Sequence, residues 1–337
     1  MRLNKKSGDK VPLNRREFVT AALAATAAAG LPARAFAQGK YPAKPIQIVC
    51  PLQAGSPSDV AVRAVCEKLG ANLGVGLPIE NVPGAAGLIG AERVARAAPD
   101  GYTLGALNNS IMTMLPNMHA KVPYDPFKSY EPISLLASIP TVLIVHPDVP
   151  VKNVKEFVEY SKANPGKLNY SSGGAGSPQH LAMEMFKSMT GANLTHVPYK
   201  GATQATLDVV AGQVQAMFIG LSLPLQHIKT GKVRALAMAG ATRTALMPEL
   251  PTVAEQGVAG YDYASWIALY APAGTPKEIV TMLTAESKRA VGDKGLRERL
   301  LTAGLDPVGS TPEELVKQTR DDFARMAKVI KDAGVTA

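Results

Sequence analysis

Strand-length apolar runs alternate with segments of helical period along most of this chain, and that alternation restricts the fold more than any single motif does. Ile46 to Leu52 has the continuous apolar character of a buried strand, after which Val62, Val65, Cys66 and Leu69 mark one face of a helix. Further strands are expected near Leu77 to Asn81, Thr103 to Leu107, Thr141 to His146, Leu168 to Ser171, Thr195 to Val197, Gln215 to Ile219 and Arg234 to Ala239. Helices are expected near Leu88 to Ala97, Val154 to Asn164, Gln179 to Thr190 and Ala202 to Ala211. Such alternation predicts an α/β class with parallel sheets covered on both faces. The last third differs, with one strand-like run at Trp266 to Ala271 followed by helices. Two of those helices open on a Thr cap, a Pro and a Glu three residues after the cap, at Thr275 to Glu278 and Thr311 to Glu314. Leu315, Thr319, Phe323, Met326 and Ile330 then line one face of a final helix that stops before Gly334. A tail that returns to the first lobe implies two crossovers, near residue 140 and near residue 265.

With 337 residues, the chain is long enough for about two domains. A composition of 46% hydrophobic and 19% charged residues excludes a disordered, collagen-like or membrane-embedded protein. The net charge of +9 is concentrated in residues 1–37, which hold seven Lys/Arg and two Asp/Glu and leave a surplus of four for the remainder. Nucleic-acid binding is disfavoured by that small surplus, by the lack of a basic stripe and by an aromatic content of 5%. The same 37 residues have the order of an export signal. A basic stretch ends at Arg15 and Arg16, an uncharged run of 13 residues covers Val19 to Leu31, and Ala35-Phe36-Ala37 precedes Gln38. A membrane-spanning helix needs about 20 residues, so the run predicts a cleaved signal, with the cut after Ala37. Asn14-Arg15-Arg16-Glu17-Phe18-Val19 resembles the twin-arginine export motif.

Cys50 and Cys66 lie in apolar segments and read as small core residues, with a disulfide between them left open. No Cys-x-x-Cys, no His-Glu-x-x-His and no close His pair points to a metal, and no cofactor is expected. Gly84-Ala85-Ala86-Gly87-Leu88-Ile89-Gly90 fails as a dinucleotide fingerprint, because glycine would be needed at Ala86 and Ile89; it reads as a tightly packed turn into a helix.

The feature with chemical content is a tetrapeptide that occurs twice. Ala-Gly-Ser-Pro stands at Ala54 to Pro57 and again at Ala175 to Pro178, each copy after a predicted strand and before a predicted helix, 121 residues apart. Ser56 and Ser177 are suited to the N-cap, and Pro57 and Pro178 to the first helical position. Gly55 and Gly176 permit close approach to the backbone. A helix start offers unpaired N–H groups and the positive end of the dipole, so each loop suits a carboxylate. The second copy lies within Ser171-Ser172-Gly173-Gly174-Ala175-Gly176-Ser177, which is rich in spare donors. In open α/β sheets ligands lie beyond the carboxyl ends of the strands, where both loops belong. Asp59 and His180 stand three residues after their caps. Asp59 either completes a capping box onto the Ser56 N–H, or orients a pocket water or receives a ligand ammonium. His180 either faces the ligand or caps locally. Neither serine has a Gly-x-Ser-x-Gly elbow, so no hydrolase is expected.

Nine motifs in order carry a wider resemblance: Tyr41 to Ile46, Asn81 to Gly87, Pro99 to Leu104, Val122 to Pro126, Ala163 to Leu168, His196 to Gly201, Gly231 to Ala237, Leu250 to Glu255 and Ala271 to Pro276. Together they resemble the Bug family, the periplasmic solute receptors of tripartite tricarboxylate transporters, over essentially the whole mature chain. The resemblance implies a periplasmic-binding-protein (Venus flytrap) fold of two lobes, each a sheet flanked by helices. Lobe 1 would comprise 38–141 with 265–337, and lobe 2 would comprise 142–264. It implies a ligand loop at Leu52 to Asp59, including Gln53, Ala54, Gly55, Ser56 and Asp59, and a second loop including Ser172, Gly173, Gly174, Ala175, Gly176 and Ser177. Tyr199, Lys200 and Gly220 would complete the second wall, and Asn108, Asn109 and Ser110 would add donors. Trp266 would form part of the mouth or pack at the hinge. The chain departs from the family's usual pattern at Ser56, Val82 and Ala86. The implied function is capture of a small mono-, di- or tricarboxylate by a periplasmic monomer and delivery to membrane permease subunits, without nucleic acid. The alternatives are an orphan receptor serving a signalling partner and an exported enzyme. Gly176→Val is expected to weaken affinity much more than stability.

Overall fold

The computed structural model describes residues 41–334. The export-signal assignment for residues 1–37, with its cut after Ala37, lies outside them. Two sheets organise the described chain. The first has the order β11 (Asp306–Pro307), β4 (Tyr130–Ile139), β10 (Ser265–Pro272), β3 (Thr103–Asn108), β1 (Gln47–Cys50), β2 (Ile79–Asn81), and the second the order β7 (Thr195–Pro198), β6 (Asn169–Ser172), β8 (Ala216–Gly220), β5 (Thr141–Val145), β9 (Arg234–Met238). In the first, β1 (Gln47–Cys50) lies parallel to β2 (Ile79–Asn81) and β3 (Thr103–Asn108). Helix α1 (Pro57–Leu73) follows β1, and α2 (Leu88–Ala95) follows β2. In the second, β6 (Asn169–Ser172) lies parallel to β7 (Thr195–Pro198) and β8 (Ala216–Gly220). Past β3, a π-helical turn at Ser110–Met114 runs into α3 (Leu115–Met118). Helix α4 (Val154–Ala163) precedes β6; α5 (Pro178–Thr190) follows it; α6 (Ala202–Val210) follows β7; α7 (Leu225–Lys229) follows β8.

The expectation of parallel sheets needs correction, because both sheets are mixed. β5 (Thr141–Val145) runs antiparallel to β8 and to β9 (Arg234–Met238), and β10 (Ser265–Pro272) runs antiparallel to β3 and to β4 (Tyr130–Ile139). The cause is the route of the chain. β4 leads into β5 through Pro140 alone, and β9 leads to β10 through residues 239–264. A strand that enters a sheet directly from the other lobe starts at the edge where the parallel strands end, so it must run against them. β4 itself is absent from the sequence expectation, since Glu131, Pro132, Ser134 and Ser138 interrupt its apolar pattern. Its pairing with β10 carries register shifts on both sides of Ala268–Leu269.

Three helices close the chain: α8 (Lys277–Gly292), α9 (Lys294–Thr302) and, after the short β11 (Asp306–Pro307), α10 (Pro312–Ala333). The expected capping box forms at α10. The Thr311 N–H donates to Glu314 Oε2 at 2.8 Å, and Glu314 N–H donates to Thr311 Oγ1 at 3.2 Å. It does not form at α8, where Pro276 is the cap and the Thr275 hydroxyl donates to the Pro272 carbonyl instead. The apolar face of α10 serves two cores. Leu315 packs with Val49, Leu107 and Trp266 over the first sheet, whereas Met326 and Ile330 pack with Phe186, Phe218 and Tyr261 over the second. Phe323, half-buried between them, meets the Phe127 ring edge-on at 5.3 Å. Cys50 and Cys66 are buried free thiols, and burial pushes both up to about 12, which leaves them protonated and inert.

Trp266 is buried and donates from Nε1 to Asp322 Oδ2 at 2.7 Å, so it packs the strand against the last helix. Asp322 also accepts from Gln318 and Arg325. Trp266→Phe removes one donor from a buried carboxylate and is expected to cost about 2 kcal/mol. Urea denaturation checks this, with the midpoint falling at unchanged m-value.

Candidate functional site

β1 and β6 each end in a loop that opens a helix, and the two loops share one conformation. Gly55 and Gly176 both have φ of 75°, in the left-handed region where glycine carries no Cβ penalty. Ser56 (φ −67°, ψ 158°) and Ser177 (φ −70°, ψ 159°) follow as N-caps, accepting the N–H of Asp59 at 3.3 Å and of His180 at 3.4 Å. Each cap's own N–H closes a turn at 3.1 Å, onto the carbonyl of Gln53 or of Gly174. Pro57 and Pro178 occupy the first helical position. The N–H groups of Ser58 and Gln179 come next, where no intrahelical carbonyl can reach them. Both cap hydroxyls act as acceptors within the loop and retain a proton to donate.

These loops face one cavity of about 620 Å³. Two further helix starts reach it: Gly87 and Leu88 at the head of α2, and Gly201 and Ala202 at the head of α6. Four helix N-termini therefore converge, two from each sheet, and their dipoles favour negative charge there. The ends of β3 and β8 contribute Asn108 and Gly220, and the points where the chain passes between sheets contribute Ile139, Thr141 and Ser265. None of the lining residues is Asp or Glu, whereas Lys200 and His119 supply basic groups. Pro51, Leu52, Pro83, Ala85, Ala86, Leu88, Phe218 and Ile219 make the rest of the wall largely apolar. Such a cavity replaces the hydration of an anion with neutral donors and accommodates an apolar body beside them.

Of the residues expected at a site, Gln53, Ser56, Asn108, Gly173, Gly174, Ala175, Ser177, Tyr199, Lys200 and Gly220 line the cavity. Ala54, Gly55, Asp59, Ser110, Ser172 and Gly176 are not among the lining residues; Ala54 and Gly55 are exposed and the other four are buried. Asp59 is 1% exposed and fully engaged: its carboxylate accepts from the Gly55 N–H at 2.9 Å, from Arg63 Nε at 2.8 Å and from Asn81 Nδ2 at 2.8 Å. It thus reaches one residue beyond the Ser56 N–H that a capping box would use, because that N–H is already bound to the Gln53 carbonyl. Burial opposes its charge, but these three donors outweigh burial and hold the carboxyl below the usual range. Ser110 donates to the Gly176 carbonyl at 2.6 Å. Across the cavity, Gln53 Oε1 accepts the Thr203 N–H at 3.3 Å, and Thr203 Oγ1 donates to the Ala54 carbonyl at 3.4 Å. Helix α6 has no side-chain cap of its own, so Gln53 supplies one from the facing loop.

Sequence reasoning missed the second pair of helix starts, although a signal was present. Val82-Pro83 follows β2 and Val197-Pro198 spans the end of β7, a second repeat that accompanies the Ala-Gly-Ser-Pro pair. The strand order explains it: β2-β1-β3-β10 in one sheet matches β7-β6-β8-β5 in the other, with the same relative directions. Between Pro83 and α2 the chain is strained. Ala85 (φ 45°) and Ala86 (φ 54°) are the non-glycine residues at positive φ among those described, and both line the cavity.

Behind the second loop, His180 stacks on His196 at 4.2 Å between ring centroids, and His196 stacks on Tyr170 at 4.8 Å. His196 Nε2 lies 2.6 Å from Ser172 Oγ, which also accepts the Gly174 N–H. Ser172 is fully buried and does not line the cavity, so this Ser–His contact braces the loop and offers no nucleophile to a ligand.

Residues 61–335 match the family described as the tripartite tricarboxylate transporter family receptor. The protein BugT of Bordetella pertussis is 32% identical over 299 residues, which cover 87% of this chain and 90% of that protein. Among solved structures, R. palustris Rpa4515 with adipate is 33% identical with a TM-score of 0.85, covering 88% of this chain and 99% of that one. MatC from Rhodopseudomonas palustris with bound malate is 30% identical with a TM-score of 0.82, covering 86% and 100%.

The geometry changes the expectation for Gly176→Val. A Cβ there would lie 2.6 Å from Leu115 Cδ2 on a backbone at positive φ, so the variant is expected to lose about 1–3 kcal/mol of stability or more, not affinity alone. Ala86→Gly, conversely, relieves a left-handed alanine and is expected to gain about 1 kcal/mol. Paired denaturation curves of the two variants read both signs at once.

Proposed function

Because this chain belongs to the tripartite tricarboxylate transporter receptor family, we propose that it captures a small carboxylate in the periplasm and hands it to membrane permease subunits. The observation that carries this reading is the convergence of four helix starts on a cavity whose lining includes no acidic side chain. The carboxylate accepts from the Ser56 and Ser177 hydroxyls and from the second-position N–H groups of Ser58 and Gln179, while the apolar wall packs against the ligand's body. Adipate and malate, bound in the two R. palustris relatives, have that chemistry. Capture follows a shift between open and closed arrangements of the lobes, 38–141 with 265–337 against 142–264. The Gln53–Thr203 contact supports the closed arrangement, since it can form only when the two loops meet. Residues 1–37 act as the export signal, of the twin-arginine type.

In a thermal-shift screen over mono-, di- and tricarboxylates, at least one acid is expected to stabilise the protein, by about 2.7 kcal/mol at a hundredfold excess over Kd. A folded protein that no member of the panel stabilises would sink the proposal. For the acid that binds, Ser56→Ala and Ser177→Ala are each expected to weaken affinity roughly tenfold in calorimetry, as loss of one hydrogen bond to a charged group does.

A further inference from the structure

The two cavity loops differ at one matched position. In the first, the Gly55 N–H donates to the Asp59 carboxylate at 2.9 Å; in the second, the Gly176 N–H donates to His180 Nδ1 at 3.1 Å. Both bonds span four residues, on glycines with the same φ, behind caps with nearly the same dihedrals. The acceptor is therefore the part that was exchanged. A carboxylate accepts while charged, whereas an imidazole nitrogen accepts only when it bears no proton. The structure assigns His180 as the positioning residue of the second loop: as a neutral acceptor it fixes Gly176, and through Gly176 the neighbouring residues Gly174, Ala175 and Ser177 that line the cavity.

The surroundings of His180 favour that neutral form. His196 from β7 stacks on one side, with Tyr170 of β6 beyond it, and Glu184 and Lys187 lie one and two turns further along its own helix. Burial is the leading cause that holds the imidazole below its usual range, and Lys187 adds to it against the pull of Glu184. His196 is lowered to about 4, first by burial and then by its neighbour His180, so the two rings do not share a charge in neutral solution. With Nδ1 accepting, the ring proton stands on Nε2. The sign follows directly. The loop is held while His180 is unprotonated and loosens as acid drives a proton onto Nδ1, where two donors would then face each other. The first loop has no such transition in that range, because Asp59 is held below the ordinary carboxylate range.

Amide hydrogen exchange by NMR on the full chain tests this, with Ile144 of β5, a strand paired on both sides, as the reference for global opening. Relative to that reference, Gly176 is expected to lose at least tenfold in protection between about pH 7 and pH 4, while Gly55 keeps its protection. His180→Asn, whose amide oxygen accepts without titrating, is expected to flatten the Gly176 profile, and His196→Asn to leave it falling. The same loss at Gly55 and Gly176, persistence of the fall in His180→Asn, or its disappearance only in His196→Asn would each overturn the assignment. Nitrogen-15 spectra of the unsubstituted protein give an independent check: a proton on Nδ1 of His180 at pH 7 would overturn it as well. The assignment deepens the receptor reading, but its readout is the loop and not the ligand, so failure of every carboxylate to bind would count against that reading alone.

Discussion

An α-helix leaves its first N–H groups without carbonyl partners, and the site depends on that deficit being directed inward four times. The parallel strands of both sheets end at the same cleft, so the helices that follow them start there. In α1 and α5, proline at the first helical position removes a donor that has no use and the serine cap satisfies the third, so the second stays without a partner inside the helix. No buried cation is needed to attract an anion to such a place, and neither lobe is burdened with an uncompensated charge when the cleft is empty.

Much of this was legible in the sequence. The Ala-Gly-Ser-Pro pair located both cap loops, because capping is a local matter of residue type and spacing, and the alternation of apolar runs located most strands to within a residue or two. What escaped detection depends on long-range pairing. β4 reads as broken by Pro132 and Glu131, and only its partner β10 makes it a strand. The mixed direction of the sheets follows from the path between lobes, which periodicity does not encode. Thr275 has the same capping signature as Thr311, yet its hydroxyl binds a nearby carbonyl, a competition that sequence does not resolve.

The two loops alone imply Ser56 and Ser177 as ligand contacts, and the structure brings both to the cavity wall. Asp59 and His180, three residues on, do not face it. They secure the glycine before each cap, which is why a capping-box pattern came close to describing Asp59 and missed by one residue. The Val82-Pro83 and Val197-Pro198 repeat was open to inspection, but each copy is too short to stand out until the matching strand order supplies the register. Ala85 and Ala86 illustrate the opposite limit, since nothing in two alanines announces a left-handed backbone.

The last helix belongs to two cores at once, with Leu315 over the first sheet and Met326 and Ile330 over the second. The same helix therefore ties the two sheets to each other through packing that spans most of the described chain. Loosening that one helix withdraws side chains from both cores at once, so the two sheets lose packing together.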